Sequence, residues 1–167
     1  PRAACPEAPR SPMPIDKRHL GKKYGPYRFH VGREHVRDFV HAVGAGVPGH
    51  VFETPPTVYH PATYPGAGEA ALDVVAPPTY AAAFAIEPFA KACGDPALAI
   101  NVLRLVHGEQ EFEFFEPVRP GDVLDTVGEI TSIRDRGPLD WLEVTTTTTN
   151  QHGKVVVKGV WTAIIRN

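Results

Sequence analysis

The stretch "PPTYAAAFAIEPFAKACGD" (residues 77–95) decides the fold. Its two opening prolines suit the first turn of a helix, where a backbone N–H has no partner inside the helix. The following residues are apolar on nearly every side, which predicts a buried helix over 78–92. The small alanines permit close approach to a flat layer, and a β-sheet is the natural neighbour. Pro88 is expected to kink this helix and Gly94 to end it.

The chain after this helix has the pattern of four antiparallel strands within 101–166. The first shows alternation at Val106, Gln110, Phe112 and Phe114, and Gly108 inside it predicts a bulge or a close backbone contact. The run "TTTTT" (145–149) is β-branched and is expected to form one strand. Three aromatic side chains are expected in the core at strand spacing: Phe112, Phe114 and Trp161. In contrast, Glu109, Glu111 and Glu113 are expected at a solvated or interface edge.

The chain before the helix predicts a short strand over 26–31 and an amphipathic helix over 33–44. Val36, Phe39, Val40 and Val43 recur at helical spacing and form one apolar stripe, and Gly44 is a plausible C-cap. One buried helix against one antiparallel sheet is an α+β layout. A sheet that wraps such a helix is a hot dog fold, and a cystatin-like roll with the same element order is the alternative.

Composition indicates an ordinary globular protein. The 167 residues suit one domain, expected over 13–167, and the proline-rich residues 1–12 read as a disordered tail or an expression remnant ahead of Met13. The net charge is −2 with dispersed Lys and Arg, so nucleic acid is not an expected partner. Two cysteines make no disulfide framework, and neither a signal peptide nor a run of roughly 18–20 apolar residues is present. A cytoplasmic protein without membrane contact is therefore expected.

Three segments resemble one known family in the right order. They are "REHVRDFVHAVG" (33–44), "VVAPPTYAAAF" (74–84) and "LVHGEQEFEFFEPVRPGDVL" (105–124). All three resemble the N-terminal-type, substrate-holding domain of MaoC-like dehydratases, which are hot dog proteins related to (R)-specific enoyl-thioester hydratases. The resemblance covers about 14–166. It implies addition or removal of water on acyl thioesters of coenzyme A or acyl carrier protein, in fatty acid or polyketide metabolism, without a further cofactor.

The loop "GAGVPGH" (44–50) resembles the catalytic motif of that family only in part. Catalytic members carry G-D-x-N-P-x-H, so Ala45 stands in place of the Asp and Val47 in place of the Asn. An Asp and a His that hydrogen-bond the same water molecule can deprotonate it and deliver a proton to C2 of the acyl group. His50 is therefore the candidate catalytic residue, and it lacks the partner that would position the water. Weak activity of the unaided chain is expected.

The start of the central helix departs from the family in a second way. Catalytic members stabilise the enolate oxygen with backbone N–H groups at this point. Pro78 stands near the position of a glycine whose N–H takes part, and proline has no N–H. Thr79 and Tyr80 keep theirs, so the three residues are candidates for substrate binding in an altered arrangement.

His107 and Gln110 are the remaining candidates for substrate binding. His107 is either an ordinary strand histidine with a satisfied ring or part of a substrate tunnel. The eight histidines show no zinc-protease spacing, so no metal site is predicted.

Three function classes stay open. The first is a hydro-lyase, or the half of one that holds the acyl chain beside a catalytic hot dog subunit. The second is a non-catalytic module that binds acyl thioesters. The third is a hot dog thioesterase, which needs a carboxylate near the central helix, where only Glu87 stands just beyond 77–86. A homodimer or a heterodimer is expected, because an open sheet leaves a long edge.

Overall fold

The computed structural model describes residues 14–43 and 75–166. Its strands are β1 (Lys23–His30), β2 (Leu105–Phe114), β3 (Val123–Asp135), β4 (Leu139–Thr149) and β5 (Val155–Arg166). Its helices are α1 (Arg33–Ala42), α2 (Ala81–Ala85) and α3 (Glu87–Cys93). Short 3₁₀ turns cover Lys17–His19, Pro78–Tyr80, Pro96–Leu98 and Val102–Arg104.

The five strands form one antiparallel sheet in the order β1-β3-β4-β5-β2. The four strands expected within 101–166 are confirmed, and β1 spans 23–30 instead of the predicted 26–31. The buried helix contacts β1, β3 and β4. The arrangement is therefore α+β, with one central helix against a single antiparallel sheet, as the hot dog prediction requires.

The central helical segment (78–93) has the predicted break. Its first turn is 3₁₀, α2 follows, and the helix is interrupted at Ile86 before α3 resumes. Pro88 cannot donate the backbone bond that would continue α2, which accounts for the break. Its ring packs directly on β3, since a Cβ added at Gly128 would lie 2.4 Å from the Pro88 Cβ. Gly94 ends the segment and donates its N–H to the Ala90 carbonyl at 3.0 Å.

The core lies between this segment and the sheet. Trp161 on β5 is completely buried, stacks on Phe89 at a ring-centroid distance of 5.7 Å, and donates its indole N–H to the Thr146 hydroxyl at 3.0 Å. Thr146 and Thr148 point inward from the threonine run, and the Thr148 hydroxyl is paired with that of Thr126 at 2.9 Å. The run is a strand, as predicted, and its buried hydroxyls all have partners.

Strand β2 carries the predicted irregularity at Gly108. The register with β5 shifts between His107 and Glu109, and a Cβ at Gly108 would lie 2.6 Å from Ile164 Cδ1. A bulge residue reverses the alternation of faces on its two sides. Val106 pairs with Ile164 and Gln110 with Trp161, so the two residues lie on opposite faces and the alternation continues only from Gln110 onward.

Two predicted core positions are exposed. Phe114 is 49% exposed, because it stands at the end of β2 beside an open cavity. Val43 is 50% exposed, because α1 ends at Ala42 and the stripe no longer faces the core beyond that point. Phe112 is partly buried, while Val36 and Val40 are fully buried, as the stripe predicts.

Several predictions fall outside the described residues. These are the tail over 1–12, the C-cap at Gly44 and the loop that contains Ala45, Val47 and His50. In the part of the chain that is described, no helix combines the length and the apolar character needed to cross a membrane.

Candidate functional site

A mainly apolar cavity of about 240 Å³ lies at the start of the central helical segment. One wall comes from that segment and the residues just before it, and the other from the end of β2 and the chain after it. The lining side chains that matter here are Ala76, Pro78, Tyr80, Phe84, Phe114 and Val118. The two walls are joined by a hydrogen bond from the Ala76 N–H to the Val118 carbonyl at 2.8 Å. The volume of this cavity is smaller than that of typical pockets for drug-sized ligands, so the cavity suits part of an acyl group.

The first turn of the segment offers few backbone donors to this cavity. Pro77 and Pro78 have no N–H. The Tyr80 N–H donates to the Pro77 carbonyl at 2.8 Å, and the Ala81 N–H donates back to Pro78 and Thr79. Within residues 14–43 and 75–166, Thr79 therefore holds the one N–H of this turn that is not used internally. Thr79 itself does not belong to the cavity lining.

Tyr80 contributes a polar group of a different kind. Its side chain is 2% exposed and packs edge-on against Phe39 and Phe84, with ring centroids 5.2 and 6.1 Å away. Among the described residues its hydroxyl has no hydrogen-bond partner. Burial raises the pKa of Tyr80, so the group stays a protonated donor at neutral pH. A buried hydroxyl without an acceptor costs roughly 1–3 kcal/mol, and a bound carbonyl would remove that cost.

Tyr80 also separates the cavity from a second groove. That groove has a volume of about 470 Å³ and lies between α1 and the central segment, with Phe29, His35, Asp38, Phe39 and Ala83 on its walls. Its accessible surface is almost wholly apolar, and Tyr80 lines both spaces. The phenol thus stands where two apolar spaces meet.

The sequence-predicted binding residues fall into two groups. Pro78 and Tyr80 line the cavity, with the exposed Thr79 between them in sequence. His107 and Gln110 lie on β2 outside it, and Gln110 pairs with Trp161 in the strand register. The His107 ring is exposed on one side and contacts Phe89 and Trp161 at centroid distances of 5.4 and 5.6 Å. Its role in a tunnel stays a prediction.

Sequence reasoning missed the second wall of the cavity. Phe115, Glu116, Pro117 and Val118 follow β2 directly and complete the lining. The signal was present in "FFEPV" (114–118), where paired aromatics run past the end of the strand into a proline. Glu116 is the carboxylate among the described lining residues, and it is ion-paired with Lys154 at 3.6 Å.

Metal chemistry has no support in the described ranges. Across residues 14–43 and 75–166, no three His, Cys, Asp or Glu side chains lie close enough together to hold a metal ion. Cys93 is buried, and burial raises the pKa of its thiol to about 11. It is therefore a poor nucleophile at neutral pH.

Comparison with known proteins places this chain in a family. A family model described as the FAS1-like dehydratase domain region matches residues 18–159. The chain belongs to this dehydratase family. A UPF0336 protein of Saccharopolyspora erythraea is 34% identical over 155 residues, which cover 92% of this chain and 93% of the relative. The resemblance to MaoC-like dehydratases found in the sequence is thereby confirmed.

Solved structures agree with the family and with the fold. The C-terminally truncated HadBC complex of Mycobacterium tuberculosis, a (3R)-hydroxyacyl-ACP dehydratase, is 27% identical with a TM-score of 0.65, over 87% of this chain and 96% of that one. A MaoC-like dehydratase is 28% identical with a TM-score of 0.66, over 89% of this chain and 42% of that one. The hot dog fold is therefore confirmed over the cystatin-like roll.

Proposed function

We propose that this member of the dehydratase family is the acyl-holding subunit of a (3R)-hydroxyacyl-thioester dehydratase, or enoyl-thioester hydratase. It would bind an acyl group carried on coenzyme A or acyl carrier protein, with no further cofactor. A second hot dog chain would supply the complete Asp and His pair. Cytoplasmic location is expected and is independent of this assignment.

The cavity at the start of the central segment carries the proposal. Its walls are apolar, as an acyl chain requires, and the Tyr80 hydroxyl is a buried donor without an acceptor among residues 14–43 and 75–166. A thioester carbonyl is a neutral acceptor of the right size for that donor. The Thr79 N–H lies in the same turn and is unused within it, although Thr79 is not part of the cavity lining. The proposed contacts are therefore Thr79 and Tyr80 on the carbonyl, with Pro78 and Phe114 against the acyl chain.

The reaction explains why this chain would need a partner. Dehydration removes a proton from C2 and releases the C3 hydroxyl as water, so one group must accept a proton and another must donate one. His50 can serve in one of these roles near neutral pH. The methyl group of Ala45 can serve in neither. Loss of one of two cooperating groups typically costs orders of magnitude in rate.

A binding module without turnover is the second candidate, and the same cavity supports it. A thioesterase is disfavoured by the position of Glu87. That carboxylate is exposed on α3 and is ion-paired with Lys91 at 3.3 Å, and it does not line the cavity. His107 and Gln110 lie outside the cavity, so their part in substrate binding is best tested separately from that of Tyr80.

The test is equilibrium binding of crotonyl-coenzyme A and a longer enoyl-coenzyme A to the full chain, measured by calorimetry. Tyr80→Phe should weaken binding by about tenfold, because one buried hydrogen bond to the carbonyl is lost. Tyr27→Phe is the matched control, since this tyrosine lies on β1 away from the cavity. Equal binding by both variants and the unaltered chain would refute the cavity as the acyl site.

Turnover separates the two candidates. Each thioester should be assayed with the chain alone, with a catalytic hot dog partner that carries G-D-x-N-P-x-H, and with both together. A subunit of a hydro-lyase raises the partner's rate or extends its chain-length range. A binding module leaves the partner's kinetics unchanged.

A further inference from the structure

A cavity of about 620 Å³ lies on the face of the sheet that points away from the central helical segment. Trp161 of β5 packs on that segment, and side chains alternate along a strand, so Ile164 and Arg166 point to the other face. Val106 lies opposite Ile164 and Leu139 lies opposite Arg166 in the register, so both share this face. Among the described residues, the lining of this cavity has no member in common with the cavity at the start of the central helical segment. The two cavities are therefore separate.

Two guanidinium groups on the walls of this cavity have no carboxylate partner. Arg104 comes just before β2, Arg166 ends β5, and both side chains are exposed. No residue in the described part of the chain forms an ion pair or a hydrogen bond with either guanidinium, and the described lining contains no Asp or Glu. The next carboxylates along this face, Glu109 and Glu143, do not line the cavity, and Glu143 is paired with Arg134. The arginine cavity, named here for Arg104 and Arg166, thus carries two positive charges that no carboxylate on its walls neutralises.

The surface beside the arginine cavity adds a third positive charge and an aromatic ring. Arg136, in the turn between β3 and β4, donates its backbone N–H to the Leu139 carbonyl at 2.8 Å. The guanidinium carbon of Arg136 lies 5.1 Å from the centre of the Trp141 ring. Trp141 is half-buried and lies opposite Ile164, which lines the cavity. This end of the sheet therefore combines positive charge with apolar and aromatic surface.

We propose that the arginine cavity binds a small phosphate monoester whose organic part is a short alkyl or aryl group. A phosphate monoester carries close to two negative charges at neutral pH, which two guanidinium groups neutralise, whereas a carboxylate carries only one. The planar guanidinium also matches the oxygens of a phosphate in a bidentate geometry. Val106, Leu139 and Ile164 provide the apolar contact for the organic part. This inference is independent of the proposed function, because the two cavities lie on opposite faces of the sheet.

The test is a titration of the full chain with hexyl phosphate, followed by tryptophan fluorescence and by calorimetry. Trp141 lies beside the cavity and Trp161 is completely buried, so we expect a saturable change in fluorescence that arises from Trp141. Inorganic phosphate should bind at least about tenfold more weakly, because it leaves the apolar residues uncovered. Hexanoate should also bind at least about tenfold more weakly, because it carries half the charge. Added salt should weaken the binding of hexyl phosphate.

Substitution of the two arginines should remove this binding. Arg104→Gln/Arg166→Gln should weaken the binding of hexyl phosphate by at least about tenfold. Arg104→Lys/Arg166→Lys should give an intermediate loss, because lysine keeps the charge and lacks the bidentate fork. The matched control is Arg33→Gln/Arg119→Gln, which removes the same charge at the opposite end of the sheet and should bind like the unaltered chain. Circular dichroism checks that each variant is folded.

Four results would overturn the inference. The first is the absence of saturable binding of hexyl phosphate at millimolar concentration. The second is equal binding by the unaltered chain and Arg104→Gln/Arg166→Gln. The third is an equal loss in the control variant, which would show a non-specific charge effect. The fourth is hexanoate that binds as tightly as hexyl phosphate, which would show that the cavity does not select a phosphate. No thioester enters these measurements, so their failure is separate from failure of the acyl-site proposal.

Discussion

The polar groups at the two ends of the central helical segment differ in whether they have hydrogen-bond partners. Just past the C-terminal end, Asp95 accepts hydrogen bonds from the Lys22 ammonium, the Tyr24 hydroxyl and the Ala97 N–H. At the N-terminal end, Tyr80 is buried, and no described residue accepts a hydrogen bond from its hydroxyl. The two prolines beside it have no backbone N–H to donate. A fold gains stability from the first arrangement and loses it at the second. The contrast indicates that Asp95 anchors the C-terminal end of the segment to β1, and it agrees with the proposal that the N-terminal end binds a ligand.

Removing the anchor should give the largest change. Asp95→Ala leaves the partly buried Lys22 and Tyr24 without their acceptor, so the free energy of unfolding should fall by about 2–4 kcal/mol. Urea denaturation followed by circular dichroism measures this. The control is Asp135→Ala, an exposed carboxylate that accepts one local bond from the Gly137 N–H, for which a loss of about 0.5 kcal/mol is expected. Equal losses would show that Asp95 is no anchor.

Acid should remove the same contribution. Hydrogen bonds from Lys22, Ala97 and Tyr24 lower the pKa of Asp95 to about 2 in the folded chain, against about 3.9 when unfolded. A lowered folded pKa stabilises the protein above the unfolded value, and this stabilisation is lost as pH falls from about 4 to about 2. The stability difference between the unaltered chain and Asp95→Asn should therefore be constant above pH 5 and shrink toward pH 2. A difference that is independent of pH would contradict the ion pair.

Replacing a tyrosine by phenylalanine should change the free energy of unfolding in opposite directions at the two ends of the segment. Tyr24→Phe removes a hydroxyl that donates to Asp95 at 2.8 Å, and should lower the free energy of unfolding by about 1 kcal/mol. Tyr80→Phe removes a hydroxyl that has no acceptor in the described part of the chain, and should raise the free energy of unfolding by about 1 kcal/mol in the absence of ligand. Thermal unfolding of both variants measures this. If Tyr80→Phe is destabilising, the hydroxyl has a structural partner and the open-site interpretation fails.

Glu116 should matter least. Its carboxylate lies at the rim of the cavity and makes an exposed ion pair with Lys154 at 3.6 Å. Exposed pairs contribute about 0–1 kcal/mol, so Glu116→Gln should change the free energy of unfolding by less than about 0.5 kcal/mol. Thioester hydrolysis by the chain, assayed with a thiol reagent, should be negligible in both forms. Hydrolysis that disappears in Glu116→Gln would favour the thioesterase alternative.

The fold could be predicted from sequence where one local signal dominates. The apolar run after Pro78 specified a buried helix, and Gly108 marked the bulge, because each rests on the properties of the residues at that point. Sequence patterns failed where tertiary position decides. Phe114 has the spacing of a core residue, yet it ends an edge strand beside a cavity, and no periodicity encodes that ending.

The candidate site was predicted less completely for a related reason. Pro78 and Tyr80 were expected from the resemblance, and they do meet in one cavity. Donation of the Tyr80 N–H to Pro77, and the lack of an acceptor for its hydroxyl among the described residues, depend on backbone geometry at a 3₁₀ turn. The opposing wall comes from 114–118, and only the folded sheet brings it to the helix.

The most direct test of an acyl-holding subunit is steady-state hydration of crotonyl-coenzyme A by the unaided chain. We expect turnover at least about a hundredfold below that of a complete hydratase, because Ala45 cannot hold the water. Ala45→Asp combined with Val47→Asn should raise the rate if the loop keeps the family geometry. Full turnover by the unaltered chain that is abolished by His50→Ala would contradict the account, since another acid would then replace the missing Asp. Full turnover that survives His50→Ala would remove the loop from the chemistry altogether.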